Sequence, residues 1–300
     1  MIKIIKRTAI TLLVLFPVIV LSAAWYFSSQ LLHPGLYPCN EEHYVFCESP
    51  AQVGLEYTDV ELTTEDGLAL DGWFIPGANE KAGVVLIHGR GATRHEGLRD
   101  AIALHKAGFP MLLIDLRNSG TSQSSYNTMG YLEQQDVDAA VARLKELGMD
   151  KVGIVGYSMG ATTSILAMAD NPDIDAGWFD SGFKSLDGII QERGREDYGI
   201  PLVEQFSKVV RFFYRLRGGF EDSRTPENVI ASISPRPVMI IHGTADKTVS
   251  VEHGRSLYAA AAEPKLYWEI PGGEHTRAWQ ADKTQSEVLI IKFFQNSLNQ

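Results

Sequence analysis

From residue 57 onward the hydrophobic positions follow two rhythms. Short apolar runs alternate with longer stretches whose apolar positions recur every three or four residues. The runs at 84–88, 111–115, 152–156, 176–180, 238–242 and 265–270 read as strands buried on both faces. Segments 57–62 and 68–74 flank the turn Glu65-Asp66-Gly67 and read as an initial antiparallel pair. Helical spacing covers 96–107, 132–147, 159–169, 251–262 and 284–294. Alternating strands and helices predict an α/β fold: eight strands in a mostly parallel sheet, with helices on both faces. The alternation breaks once. Residues 181–235 carry helical patterns without a buried strand. An insertion at about 183–225, after the sixth strand, therefore predicts a small helical cap.

The N-terminus has a different pattern. Lys3, Lys6 and Arg7 precede a stretch from Thr8 to Asn40 without Asp, Glu, Lys or Arg. Its apolar part, 8–27, has 20 residues, about enough to cross a hydrocarbon core of roughly 30 Å. Pro17 is tolerable in such a helix, and Trp25 and Tyr26 suit the far interface. The positive flank keeps the N-terminus cytoplasmic and places the following domain on the exported side, periplasmic or extracellular. Ser22-Ala23-Ala24 offers a cleavage site, so a signal peptide is the competing reading. The anchor is preferred because the apolar stretch runs past that site. The expected division is an anchor or signal at 1–27, a linker at 28–54 with Pro34, Gly35, Pro38 and Pro50, and a folded domain at 55–300.

Composition narrows the function classes. The net charge of −10 gives no electrostatic footprint for nucleic acid. Residues 1–24 hold three basic residues and no acid, so the body without them is more acidic still. The two cysteines, Cys39 and Cys47, lie just after the apolar segment. In an oxidising compartment they could pair, and two thiols without matching ligands make a poor zinc site.

Ligands of open parallel sheets bind beyond the carboxyl ends of the strands. After the fifth strand comes Gly156-Tyr157-Ser158-Met159-Gly160, a G-x-S-x-G nucleophile elbow leading into a helix. After the third comes His88-Gly89-Arg90-Gly91, a turn able to aim a backbone N–H at the same point. With Met159 N–H, the Arg90 N–H (or, second, that of Gly91) would make an oxyanion hole. After the seventh strand stands Asp246, the candidate acid, with Asp115 and Asp180 as rivals at other strand ends. After the eighth, Pro271-Gly272-Gly273-Glu274-His275 presents His275 as the general base. The other seven histidines fit less well: His88 and His242 suit structural hydrogen bonds, and His33 and His43 lie in the linker. The chain order Ser158, Asp246, His275 differs from the trypsin and subtilisin orders.

These motifs resemble those of serine hydrolases of the α/β-hydrolase fold, over residues 55–298. The resemblance is nearest to the Bem46-like, membrane-anchored set, which overlaps the serine aminopeptidase-like enzymes. Asp66-Gly67-Leu68-Ala69-Leu70-Asp71-Gly72-Trp73-Phe74 is similar to its N-terminal strand pair, and Asp115-Leu116-Arg117-Asn118-Ser119-Gly120-Thr121-Ser122 to its structural D-x-R-x-x-G-x-S loop. The resemblance implies a triad of Ser158, Asp246 and His275 and hydrolysis of a carboxylic ester, lipid-like or monoacyl, with no metal or cofactor. An aminopeptidase or amidase, or a non-catalytic scaffold, are the alternatives. Arg90 departs from the smaller residue frequent at its position, and its side chain is expected to point to solvent. In the cap, Phe206, Val209, Val210 and Phe213 form an apolar stripe, with Lys208, Arg211 and Arg215 on another face. That predicts a helix packed on one face and solvated on the other; a lid resting on anionic headgroups is the sharper alternative. The oligomeric state is left open.

Overall fold

The computed structural model describes residues 2–36 and 39–299, with residues 2–12 and 14 described by backbone alone. Tyr37 and Pro38 of the expected linker, and the basic side chains of Lys3, Lys6 and Arg7, lie outside that description. The chain opens with helix α1 (Ile2–Leu32) and then the strand pair β1 (Thr58–Thr63) and β2 (Ala69–Ile75). Strands and helices then alternate: β3 (Ala82–Ile87), α2 (Leu98–Lys106), β4 (Met111–Ile114), α3 (Gln134–Glu146), β5 (Lys151–Tyr157), α4 (Met159–Asp170) and β6 (Ala176–Asp180). Helices α5 (Leu186–Glu196), α6 (Val203–Gly218) and α7 (Pro226–Val229) follow without a strand. The chain closes with β7 (Val238–Gly243), α8 (Val251–Ala260), β8 (Lys265–Ile270), α9 (Ala278–Ala281) and α10 (Lys283–Leu298).

The eight strands form one sheet in the order β1-β2-β4-β3-β5-β6-β7-β8. The pairs β1/β2 and β2/β4 are antiparallel, and every other pair is parallel. The continuous apolar runs have a simple cause: successive side chains point to opposite faces, and both faces are covered. Val85 and Ile87 join a core with Val137, Ile165 and Leu257, from α3, α4 and α8. Val84 and Leu86 join the other core with Leu98, Ala101 and Ile290, from α2 and α10. Each such valine, leucine or isoleucine contributes about 1.5–3 kcal/mol by leaving water. The loop from Asp115 to Ser122 is structural: buried Arg117 holds Asp136 at 2.7 Å and Asp66 at 2.8 Å.

Helix α1 departs from the expected boundary. It runs to Leu32 rather than stopping at Phe27, because its last turns are packed against the body. Ser28 and Leu32 are fully buried. Arg217 of α6 lies 4.0 Å above the Trp25 ring and donates to the Trp25 carbonyl and the Ser28 and Ser29 hydroxyls. Trp25 and Phe27 also meet the rings of Phe213 and Phe206. The stretch Leu15–Leu32 is long and apolar enough to cross a membrane or to act as a signal sequence. Beyond α1, Cys39 and Cys47 are joined in a disulfide that closes a short loop.

The cap consists of α5 and α6. Val210 is buried, while Phe206 and Phe213 face α1. The basic face is neutralised from within: Arg211 pairs with Asp187 at 3.1 Å and Asp222, and Arg215 with Asp222 at 3.1 Å and with Glu221. Two of the three cations expected to meet headgroups thus have internal partners, which weakens the electrostatic lid.

Candidate active site

Ser158 occupies the turn between β5 and α4 with φ +52°, a left-handed conformation costly for a residue with a Cβ. The surrounding glycines make that turn possible. A Cβ on Gly156 would come within 2.5 Å of the Gly160 carbonyl oxygen. One on Gly160 would meet the Ile87 and His88 carbonyl oxygens at 2.3 and 2.5 Å. Only bare backbone lets α4 start against the end of β3, which also brings the Gly89–Arg90 turn beside Ser158. The Ser158 N–H is tied to the Asp180 carbonyl at 2.8 Å.

The loops after β7 and β8 meet by the same device. A Cβ on Gly243 would lie 2.2 Å from the Gly273 carbonyl oxygen, and that oxygen accepts from Ala245 N–H at 2.9 Å. His275 is thereby set between its two partners. Its Nδ1 is 2.7 Å from Asp246 Oδ2 and its Nε2 is 2.9 Å from Ser158 Oγ. The other Asp246 oxygen accepts from the N–H groups of Thr248 and Val249 at 2.8 and 2.9 Å. Burial alone would push the Asp246 carboxyl up. The neighbouring imidazoles of His242 and His275 outweigh it and hold the carboxyl well below the ordinary range. An ionised Asp246 can only accept, so His275 Nδ1 carries the proton. Nε2 is then left with a lone pair for the Ser158 hydroxyl.

The rival acids serve elsewhere. Asp180 accepts the Ser181 hydroxyl at 2.9 Å, and burial raises it to about 6 against the pull of Arg99. Asp115 accepts from Arg94 and Thr121 N–H groups at 2.7 and 3.2 Å. His88 accepts from Leu116 N–H at 3.0 Å, the structural role anticipated for it.

Arg90 and Met159 line a cavity of about 510 Å³ together with Ser158 and His275. The Arg90 side chain does not run to solvent: it donates to the carbonyls of Gln30 and Leu31 at 2.7 and 3.4 Å. A guanidinium there satisfies carbonyls left open at the end of α1 and complements the helix dipole.

Two contributors carry no motif in the sequence. Buried Glu96 accepts the Gly89 N–H at 2.7 Å and so holds the turn that presents Arg90. Burial alone would raise its carboxyl, but His43, Arg99 and the Gly89 N–H lower it to about 2. His43, assigned to the linker, stands 3.8 Å from Glu96 and 3.5 Å from the Thr276 hydroxyl. The disulfide loop places it there, with Asn40 and Tyr44 also on the cavity wall. The cysteine spacing was the one available hint that this loop is pinned. Among the described residues no three His, Cys, Asp or Glu side chains group as metal ligands would.

Comparison with known proteins agrees with this architecture. Residues 84–201 match the family described as alpha/beta hydrolase fold. The chain is 29% identical over 230 residues to the uncharacterized protein YfhR of Escherichia coli (strain K12), covering 73% of this chain and 74% of that one. It is 26% identical over 316 residues to the Salmonella typhimurium YfhR, covering 98% and 97%. Among solved structures, the Pyrococcus furiosus esterase Pf2001 superposes with a TM-score of 0.72 at 27% identity, covering 89% of this chain and 98% of that one. With its sheet order, its nucleophile-type turn and these matches, the chain is a protein of the α/β-hydrolase fold, with a solved esterase among its structural neighbours.

Proposed function

We propose that the protein is a serine hydrolase cleaving a carboxylic ester, lipid-like or monoacyl, through an acyl-enzyme, as a member of the Bem46-like, membrane-anchored set. The observation that carries this reading is the unbroken hydrogen-bonded path Ser158–His275–Asp246 on the wall of a cavity. Ser158 Oγ attacks the acyl carbon while His275 Nε2 takes its proton. The Arg90 and Met159 N–H groups bind the tetrahedral oxyanion. The C–O bond breaks, and the leaving alcohol takes the proton from Nε2. Water then repeats the sequence and releases the acid. Asp246 stabilises the imidazolium throughout. The esterase neighbour supports the ester class. The amide reading gains less, because Glu274, its one candidate for a peptide amino terminus, pairs with Arg277 at 3.0 Å. The bonded cysteines and α1 fit a domain anchored on the exported side of a membrane. Its acidic balance gives no electrostatic footprint for nucleic acid.

A fluorophosphonate tests the reading. One adduct is expected, on the peptide carrying Ser158, with parallel loss of p-nitrophenyl butyrate hydrolysis. Hydrolysis persisting in fully labelled protein would sink it, and neither labelling nor hydrolysis would favour a binding scaffold.

Glu96 is a positioning residue in this scheme. Glu96→Ala is expected to lower kcat about 10- to 100-fold with little change in KM, less than deleting an oxyanion donor outright. Glu96→Gln keeps an acceptor for Gly89 N–H and should lose less than about tenfold. Equal losses would mean that the charge, not the bond to Gly89, is what counts. The folded carboxyl titrates near 2 instead of 4.5. Its contribution to stability is therefore complete above pH 4.5 and lost as pH falls toward 2.

A further inference from the structure

A second cavity, of about 530 Å³, lies between the last turns of α1 and the cap. Its walls are mainly apolar, with Phe27 and Leu31 from α1 and Ile190, Ile200, Val203 and Val210 from the cap. It meets the first cavity along shared residues, among them Met129 and Ile189. Of the polar residues at that junction, Arg90 is drawn to the α1 carbonyls and Arg193 to Glu196 and Asp197, while Thr248 remains on the wall. At the outer rim Phe27 meets the rings of Tyr198 and Phe206 edge-on, at 5.0 and 5.9 Å.

We propose that this space is an acyl-chain channel, which admits the tail of a long-chain ester from the bilayer alongside α1 and leads its carbonyl to Ser158. This rests on the ester-hydrolase reading above. A volume of this size in an apolar wall suits a flexible hydrocarbon ligand. The source is the membrane because the rim is continuous with the apolar face of α1. Leu21, Trp25 and Tyr26 are exposed on that helix just before the rim. On the cap, Tyr198, Leu202, Phe212 and Leu216 are each at least 60% exposed, and Tyr198 meets the Phe27 ring of α1. Large apolar side chains exposed together beside a spanning-length helix are ordinary in lipid and costly in water.

The test uses the full chain in lipid nanodiscs and p-nitrophenyl esters from acetate to palmitate. In the native protein kcat/KM should rise with chain length, by up to about fourfold per methylene that enters the channel. Ile190→Trp fills the channel and should lower the palmitate-to-acetate ratio of kcat/KM at least tenfold. Ile190→Ala widens it and should move the optimum to longer chains, which guards against misfolding of the tryptophan variant. Palmitate ester in the enzyme's own nanodisc should be cleaved faster than the same ester in separate nanodiscs. A ratio unchanged in both variants, with acetate cleavage still dependent on Ser158, would overturn the channel alone. Equal rates from the two nanodisc populations would overturn the bilayer route. No Ser158-dependent cleavage at any length would overturn the ester reading, and the channel with it.

Discussion

Ser158→Ala is expected to lower hydrolysis of a short ester by about 10³-fold or more and to abolish labelling by a fluorophosphonate. The expected effect is large because the proposed mechanism makes Ser158 Oγ the atom that forms the covalent bond, and it lies 2.9 Å from His275 Nε2. The fold should survive. The strained φ of +52° is held by the Gly156 and Gly160 contacts and by the bond from Ser158 N–H to Asp180, none of which uses the hydroxyl. Thermal unfolding should therefore move little while turnover disappears. Retained turnover with an intact fold would remove Ser158 from the mechanism.

Asp246→Asn should lower kcat by about 10³- to 10⁴-fold with a smaller change in KM. The carboxylate accepts from three sides, the Thr248 and Val249 N–H groups and the His275 ring, while His242 Nε2 stands 3.4 Å away and donates to the Val249 carbonyl at 2.8 Å. An asparagine oxygen can still take the two backbone bonds. Its amide then faces His275 Nδ1 with hydrogens, which favours the tautomer that places the proton on Nε2, pointing at Ser158. In the proposed scheme the base is thereby blocked without being removed. The folded Asp246 titrates below its ordinary value of 3.8, so its stabilising effect is full above that value and is lost as pH falls through the lower range. The native protein should accordingly lose its stability margin over Asp246→Asn on acidification below about pH 4. A loss in kcat under tenfold would point instead to another acid, and Asp180 is the one to test next.

Strand positions were legible because a strand buried on both faces must be apolar throughout, and the runs at 84–88, 152–156 and 238–242 fall on β3, β5 and β7. The Ser158 turn was legible for a related reason: close backbone approach admits only glycine, and glycine is visible in a sequence. The loops bearing Asp246 and His275 followed from their place after β7 and β8. Less was visible where a charge finds its partner across the fold. The side chain of Arg90 had no local reason to avoid water. It turns inward because α1 brings the carbonyls of Gln30 and Leu31 to it. Glu96 looks like any acid in a first helical turn until the Gly89 N–H and His43 are seen around it.

The sequence by itself determined the alternation of strand and helix, the insertion after β6, the N-terminal apolar helix and the order of the three polar residues that converge. Each of these is written in hydrophobic period, in glycine or in the residue that follows a strand, and so depends on neighbours in the chain. Only the tertiary structure decided that α1 continues to Leu32 and packs on α6, that the disulfide loop carries His43 to the site, and that a second apolar space opens beside the first. Those features depend on surfaces far apart in the chain. Their contacts are set by how the packed layers meet, which no local pattern of residues encodes.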